Sequence, residues 1–128
     1  LVELGDDLDV QGAIARGAAE QCERLSVPAI HPAMPLHAAL DAWDGAPLLV
    51  AAERRGALPI RHVTASLSLP CGWLVGPEGG FEGGELDDAT RRPFVTAVAL
   101  GPRILRAETA AVAGLAVLQA LAWDWDGI

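Results

Sequence analysis

The sequence predicts an α/β domain in which a mostly parallel sheet carries helices on both faces. Three short apolar runs, at residues 48–52, 73–75 and 95–100, lack the polar alternation of a half-exposed strand. We therefore expect three strands that are buried on both faces. Segments compatible with helices separate the runs, as in sheets whose parallel strands are joined by crossover helices. At 128 residues the chain fits one domain.

The helices can be placed from periodicity and stop signals. Asp9 is a candidate cap for a helix over residues 10–25, in which apolar residues recur every fourth position and which ends before Val27-Pro28. A second short helix starts at Pro35 and stops at Gly45. Residues 85–92 are polar and compatible with a helix. The last helix, residues 107–123, is apolar nearly all round, so we expect the protein or a partner subunit to enclose it.

Composition narrows the classes of partner. The chain has no lysine, nine arginines and a net charge of -8, which makes it a poor nucleic-acid binder by itself. Cys22 and Cys71 are far apart and lack ligands at zinc spacing, so we expect no metal and no disulfide. The N-terminal residues do not resemble a signal peptide, and no apolar run reaches the roughly 20 residues that span a bilayer. These features predict a cytoplasmic protein without a membrane segment.

The first candidate site is the loop Gly76-Pro77-Glu78-Gly79-Gly80-Phe81, which follows a predicted strand. Ligands bind at the carboxyl ends of strands in open parallel sheets, and glycines let backbone amides approach a ligand closely. The competing interpretation is an ordinary turn in which the glycines only supply positive φ angles. Neither the Walker spacing nor the dinucleotide fingerprint occurs, which argues against a nucleotide-binding domain.

The second candidate site is the segment 100–109, which follows the last predicted strand and opens the last helix. Arg103 and Arg106 lie beside a predicted helix N-terminus, where the helix dipole favours anions. A carboxylate or phosphate ligand would therefore compensate their positive charges. The alternative is an ion pair of either arginine with Glu78 or Glu108, which contributes little when exposed. The residues of this segment alone leave the two interpretations equally open.

The two loops in this order resemble the ribosomal RNA small subunit methyltransferase E family of the SPOUT superfamily. The motifs are Gly76-Pro-Glu-Gly-Gly-Phe81 and Leu100-Gly-Pro-Arg-Ile-Leu-Arg-Ala-Glu-Thr-Ala110, and the likeness extends over about residues 10–123. It implies a deep trefoil knot, the alpha/beta knot, at the C-terminal end. It also implies S-adenosylmethionine as methyl donor, a homodimer, and methylation of ring nitrogen 3 of a uridine in 16S rRNA.

Site residues follow from the same resemblance. The uracil N3 proton must leave, which calls for a base or for cations that stabilise the resulting anion. Arg106 and Glu108, with Arg103 behind them, are therefore the candidate catalytic residues. The adenine and sulfonium of the donor suit a glycine-rich loop with few lysines. The expected cofactor-binding residues are Leu74, Val75, Gly76, Glu78, Gly79, Gly80, Leu100, Gly101, Ile104, Leu105, Arg106, Ala107 and Thr109.

The chain also departs from the family pattern. We expect residues 1–128 to form the knot domain and the family's N-terminal PUA-like barrel to be absent from this chain. A further stretch is expected to be missing between Gly5 and Asp6, where the two Cα atoms should then lie beyond the ~3.8 Å of a trans peptide. These departures keep an alternative open, namely a non-catalytic knot domain that serves dimerisation or cofactor binding.

Overall fold

The computed structural model describes residues 8–52, 57–77, 80–101 and 104–122. The chain divides into two compact units, one ending at Pro35 and one beginning at Leu36. The first contains α1 (Leu8–Gln21), and the second contains all other described elements. The expected break between Gly5 and Asp6 lies outside the described residues.

Helix α1 ends four residues earlier than the predicted residue 25, and it begins before Asp9. Asp9 therefore lies inside the helix, and its prediction as the cap was wrong. The end is a left-handed turn at Glu23, whose φ is 59°. There the N–H of Glu23 donates to the Glu20 carbonyl at 3.2 Å and the N–H of Arg24 to the Ala19 carbonyl at 2.9 Å. This is the bond pattern that closes helices ending at a left-handed residue, and a non-glycine residue fills the position here.

The second unit is built around a four-stranded sheet with the order β2-β4-β1-β3. Its strands are β1 (Leu48–Ala51), β2 (Leu58–Pro59), β3 (Gly72–Leu74) and β4 (Val95–Ala99). Every pair is parallel, with Leu49 opposite Trp73 on one side and Thr96 on the other. The α/β class and the parallel sheet are thus confirmed. The trefoil knot stays a prediction.

Helices cover both faces of this sheet. They are α2 (Leu36–Asp41), α3 (Ile60–Thr64), α4 (Glu85–Thr90) and α5 (Ala107–Ala122). On one face Leu48 and Val50 of β1 pack in a cluster with residues of α2 and α4. On the other face Leu49 packs with residues of α3 and α5. Because alternate residues of β1 enter opposite clusters, the strand is apolar throughout, as the unbroken run predicts.

Two elements were not predicted. Strand β2 has only two residues, ends in a proline and pairs with β4 alone, so it has no periodicity from which to recognise it. Helix α3 follows at once and has five residues, of which Ile60 and Thr64 are buried. Both elements exist because β4 and α5 offer them a surface to pack on.

Arg92 links the helices on the α2 and α4 face. Its guanidinium donates to Asp41 at 2.6 Å, on α2, and to Asp88 at 3.0 Å, on α4. These two hydrogen bonds raise the pKa of Arg92 above its ordinary value. The arginine therefore stays charged and joins the two helices at the end of α4 opposite Glu85.

Helix α5 is only partly enclosed in the single chain, and the expectation that the protein or a partner subunit encloses it stays a prediction. Its buried residues Ala110, Gly114 and Leu118 are spaced by four and form one stripe towards the sheet. Val112 and Leu115 lie away from that stripe and are 71% and 45% exposed. The apolar residues thus divide between a face on the sheet and a second face, which no described residue buries fully.

The two cysteines differ in exposure, which predicts different reactivity. Cys22 is exposed, whereas burial of Cys71 beside β3 raises the pKa of its thiol. We expect iodoacetamide at pH 8 to label Cys22 faster than Cys71, and the Cys71 rate to keep rising above the ordinary thiol pKa of about 8.5. Peptide mass spectrometry over time measures both rates. Equal rates in the folded chain would contradict the prediction, and denatured protein is the control.

Candidate active site

A cleft of about 450 Å³ opens at the carboxyl ends of the strands. This volume lies within the range of small-molecule sites, roughly 300–1,000 Å³. Its floor comes from the end of β1 and the residues just after β3, and its far side from the segment that leads into α5. The lining residues are Ala51, Ala52, Val75, Gly76, Pro77, Gly80, Phe81, Leu86, Ile104, Leu105, Arg106, Ala107 and Ala110. The two candidate loops thus meet in one cleft, as expected for parallel strands that end at one edge.

The first loop combines a turn with a close packing contact. The N–H of Gly80 donates to the Pro77 carbonyl at 2.8 Å, and Gly80 has a φ of 80°. A Cβ on Gly76 would lie 2.9 Å from the Phe81 ring. The turn interpretation is therefore correct for Gly80, whereas Gly76 allows the Phe81 ring to lie against the backbone. The same turn lines the cleft, and the ligand-binding interpretation of this loop stays a prediction.

The start of α5 forms the opposite wall. The Ala110 carbonyl accepts a hydrogen bond from the buried indole N–H of Trp73 at 3.2 Å, which ties the first turn of α5 to β3. The N–H of Ala110 donates to the Arg106 carbonyl at 2.8 Å. These bonds fix the backbone of Arg106 and Ala107 at the cleft. The first N–H groups of a helix have no carbonyl partner within that helix, so those of α5 can act as hydrogen-bond donors at its N-terminus.

Arg106 is the only charged residue that lines the cleft among the described residues. Its side chain is exposed and makes no ion pair with a described residue, so the suggested pair with Glu108 does not form. Glu78, the other suggested partner, lies outside the described residues. The cleft thus offers an apolar, glycine-containing interior and one cation at its mouth. Such a site suits a ligand with a planar apolar group that backbone hydrogen bonds can hold. It also suits a reacting group next to that ligand on which negative charge develops.

The structure brings most described candidates together. Val75, Gly76, Gly80, Ile104, Leu105, Arg106 and Ala107 all line the cleft. Leu74 and Leu100 instead pack in the two core clusters, one on each face of the sheet. Gly101, Glu108 and Thr109 are exposed and are not among the lining residues. Glu78, Gly79 and Arg103 lie outside the described residues, and the roles of all these residues stay predictions.

Several lining residues were missed in the sequence. Ala51 and Ala52 end β1, and the rule that ligands bind at the carboxyl edge of a parallel sheet would have included them. Pro77 and Phe81 belong to the first motif but were not assigned a role. Ala110 ends the second motif and was likewise not assigned a role. Leu86 could not be found, because it contributes from a helix whose orientation only the packed structure defines.

The chain is thus an α/β domain with an open parallel sheet, and its glycine-containing cleft lies at the edge where such sheets bind ligands. The chain belongs to the RNA methyltransferase domain family, whose model matches residues 7–119. It is 34% identical over 105 residues to the ribosomal RNA small subunit methyltransferase E of Rickettsia conorii, covering 81% of this chain and 43% of that protein. The corresponding protein of Mycobacterium bovis is 33% identical over 119 residues, covering 89% of this chain and 45% of that protein. The chain thus spans less than half the length of these two relatives.

Solved structures agree with this membership. The ribosomal RNA small subunit methyltransferase E of Neisseria gonorrhoeae, bound to S-adenosyl methionine, has a TM-score of 0.77 and 32% identity, covering 98% of this chain and 52% of that one. A putative methyltransferase of Legionella pneumophila, in complex with the bound cofactor SAM, has a TM-score of 0.78 and 28% identity, covering 94% and 51%. The family resemblance seen in the two motifs is therefore confirmed.

Within the described ranges, no group of three or more histidine, cysteine, aspartate or glutamate residues could hold a metal ion. Among the described helices, none is both long and apolar enough to cross a membrane.

Proposed function

We propose that this chain binds S-adenosylmethionine and methylates ring nitrogen 3 of a uridine in 16S ribosomal RNA. The observation that carries the proposal is the convergence of both family motifs on one cleft, with Arg106 at its mouth. The names of the relatives and the cofactor in two similar structures support it. Such a substrate implies that the protein acts in the cytoplasm.

The residues of the cleft fit the proposed cofactor. Ala51, Val75 and Leu105 provide apolar surface for an adenine ring, and the backbone around Gly76 and Ala107 supplies hydrogen-bonding groups without bulky side chains. No lysine is available for a phosphate, because the chain has none. S-adenosylmethionine lacks phosphates, so the single described cation of the cleft is free to act on the substrate.

The chemistry assigned to the chain concerns the uracil ring. S-adenosylmethionine supplies an electrophilic methyl group when bound. The N3–H proton of the uracil must leave, and the Arg106 guanidinium stabilises the negative charge that develops on the ring. Glu108 stands two residues further on, exposed in the first turn of α5, and is the candidate proton acceptor among the described residues. Arg103 is proposed as a second cation of the same loop.

Calorimetry with S-adenosylmethionine and methyl transfer to 16S rRNA test the proposal. We expect saturable binding of the donor, no binding of ATP, and incorporation of one labelled methyl group that nucleoside mass spectrometry identifies as N3-methyluridine. Binding without transfer to RNA or to the small ribosomal subunit would instead support the non-catalytic alternative. Binding of ATP in place of the donor would reject both.

We also propose that the chain forms a homodimer through the second face of α5. Val112 and Leu115 lie on this face, three residues apart, and are both exposed in the single chain. Burying such aliphatic side chains stabilises an interface by about 1.5–3 kcal/mol each. The acidic net charge of -8 makes a wholly electrostatic interface between two copies unfavourable, so the apolar face is the better candidate.

Val112→Glu is therefore expected to convert the dimer into a monomer, because it places two like charges in the interface. Size-exclusion chromatography with light scattering measures the mass. Leu58→Glu is the matched control, since Leu58 is 50% exposed on β2 and lies outside α5. A monomeric unaltered chain, or a Val112→Glu dimer, would contradict the proposed interface.

A further inference from the structure

Two glutamates close the loop between the first motif and α4. The Glu85 carboxylate accepts a hydrogen bond from the Glu82 backbone N–H at 2.7 Å. In return, the Glu85 N–H donates to the Glu82 carbonyl at 3.0 Å. The two residues thus form two hydrogen bonds with each other. Only the first of these bonds uses a side chain, that of Glu85.

The closed loop joins two residues of the cleft wall. Phe81 directly precedes Glu82, Leu86 directly follows Glu85, and both line the cleft. Between the glutamates stand Gly83 and Gly84, the latter with a φ of 80°. Two successive glycines allow many backbone conformations, so the loop has little stiffness of its own. The backbone bond from the Glu85 N–H and the bond to the Glu85 side chain together restrict it.

Helix α4 is also held by bonds that do not involve the Glu85 side chain. Its first backbone bond runs from the Asp88 N–H to the Gly84 carbonyl at 2.8 Å, and Arg92 ties the end of α4 to Asp41 of α2 at 2.6 Å. Loss of the Glu85 carboxylate therefore removes one of the two bonds that close the loop beside Phe81, while these bonds of α4 remain. Glu85 is half-buried and does not line the cleft.

We propose that Glu85 is a positioning residue, which holds the Phe81 wall of the cleft in the conformation that binds the methyl donor. The proposal rests on the proposed function for the identity of that donor. The Phe81 ring has to lie against the backbone of Gly76, where a Cβ would be only 2.9 Å away. Without the Glu85 bond, a smaller fraction of the molecules holds the Phe81 ring in this position. The apparent affinity for the methyl donor falls in proportion to that fraction.

Three variants of the full chain test the proposal. Glu85→Ala removes the acceptor, whereas Glu85→Gln retains a carbonyl oxygen that can accept the same bond. Glu82→Ala is the matched control, because Glu82 contributes its backbone to the bond and its side chain is exposed. In calorimetry we expect the Kd for S-adenosylmethionine to rise about fivefold in Glu85→Ala, from the loss of one charge-assisted hydrogen bond. Glu85→Gln and Glu82→Ala are expected to stay within about twofold of the unaltered chain.

Amide hydrogen exchange without any ligand supplies the second readout. The Glu82 amide is expected to lose protection in Glu85→Ala and to keep it in Glu85→Gln, with unchanged protection in β1. Unaltered protection or unaltered affinity in Glu85→Ala overturns the positioning role. Loss of protection throughout the sheet also overturns it, because Glu85 would then stabilise the whole fold. If the unaltered chain does not bind S-adenosylmethionine, the proposed function fails. If all variants bind it equally, the positioning role of Glu85 fails and the proposed function stands.

Discussion

Arg106→Ala is expected to lower kcat for RNA methylation by about 100- to 1,000-fold, the usual effect of removing one donor that stabilises a developing anion. The Kd for S-adenosylmethionine should change by less than about threefold, because the guanidinium acts on the uracil and leaves the donor unaffected. Arg106 lines the cleft with an exposed side chain, so its removal leaves no buried group unpaired. Calorimetry measures the Kd, and a single-turnover assay with labelled donor measures the rate.

Arg91→Ala is the control for the loss of a positive charge. Arg91 is exposed at the C-cap of α4 and does not line the cleft, so its replacement should leave kcat unchanged. Arg106→Lys retains the charge without the planar fork of donors and should restore part of the rate. Equal losses of kcat and of donor affinity in Arg106→Ala would assign the residue to cofactor binding and contradict the proposed role.

Gly114→Ala is expected to lower the free energy of unfolding by about 2–4 kcal/mol. A Cβ at this position would overlap the indole ring of Trp73, which is only 7% exposed and therefore has little room to move. Shifting α5 would also stretch the bond from the Trp73 indole N–H to the Ala110 carbonyl. This loss in the free energy of unfolding is larger than the roughly 1 kcal/mol by which alanine normally stabilises a helix relative to glycine. Urea unfolding followed by circular dichroism measures it.

Gly17→Ala provides the matched control on α1. Gly17 is also inside a helix, but a Cβ there would meet nothing within 4 Å, so this variant should be neutral or stabilised by up to about 1 kcal/mol. Trp73→Phe replaces the indole by a smaller ring without Nε1 and should lessen the cost of Gly114→Ala. A Gly114→Ala variant as stable as the unaltered chain would show that the helix can shift freely on the sheet.

Most of the architecture could be read from local patterns. The apolar runs at residues 48–52 and 95–100 became β1 and β4, because a strand buried on both faces needs an apolar residue at every position. The start of α5 at Ala107 was also predicted. Elements without periodicity were missed, above all the two-residue strand β2. The end of α1 was misplaced, because a left-handed Glu23 carries none of the signals that a glycine would provide.

The sequence by itself determined the α/β class, the parallel sheet and the two loops that form the cleft. These follow from residue types and spacing, since burial on both faces and positions after strands are local properties. Only the tertiary structure decided that Gly114 faces Trp73, that Phe81 and Leu86 complete the cleft, and that Arg106 has no ion pair with a described residue. These contacts join residues far apart in the chain, so they depend on how helices lie on the sheet. Side-chain contacts between packed elements arise from that orientation, which no local pattern encodes.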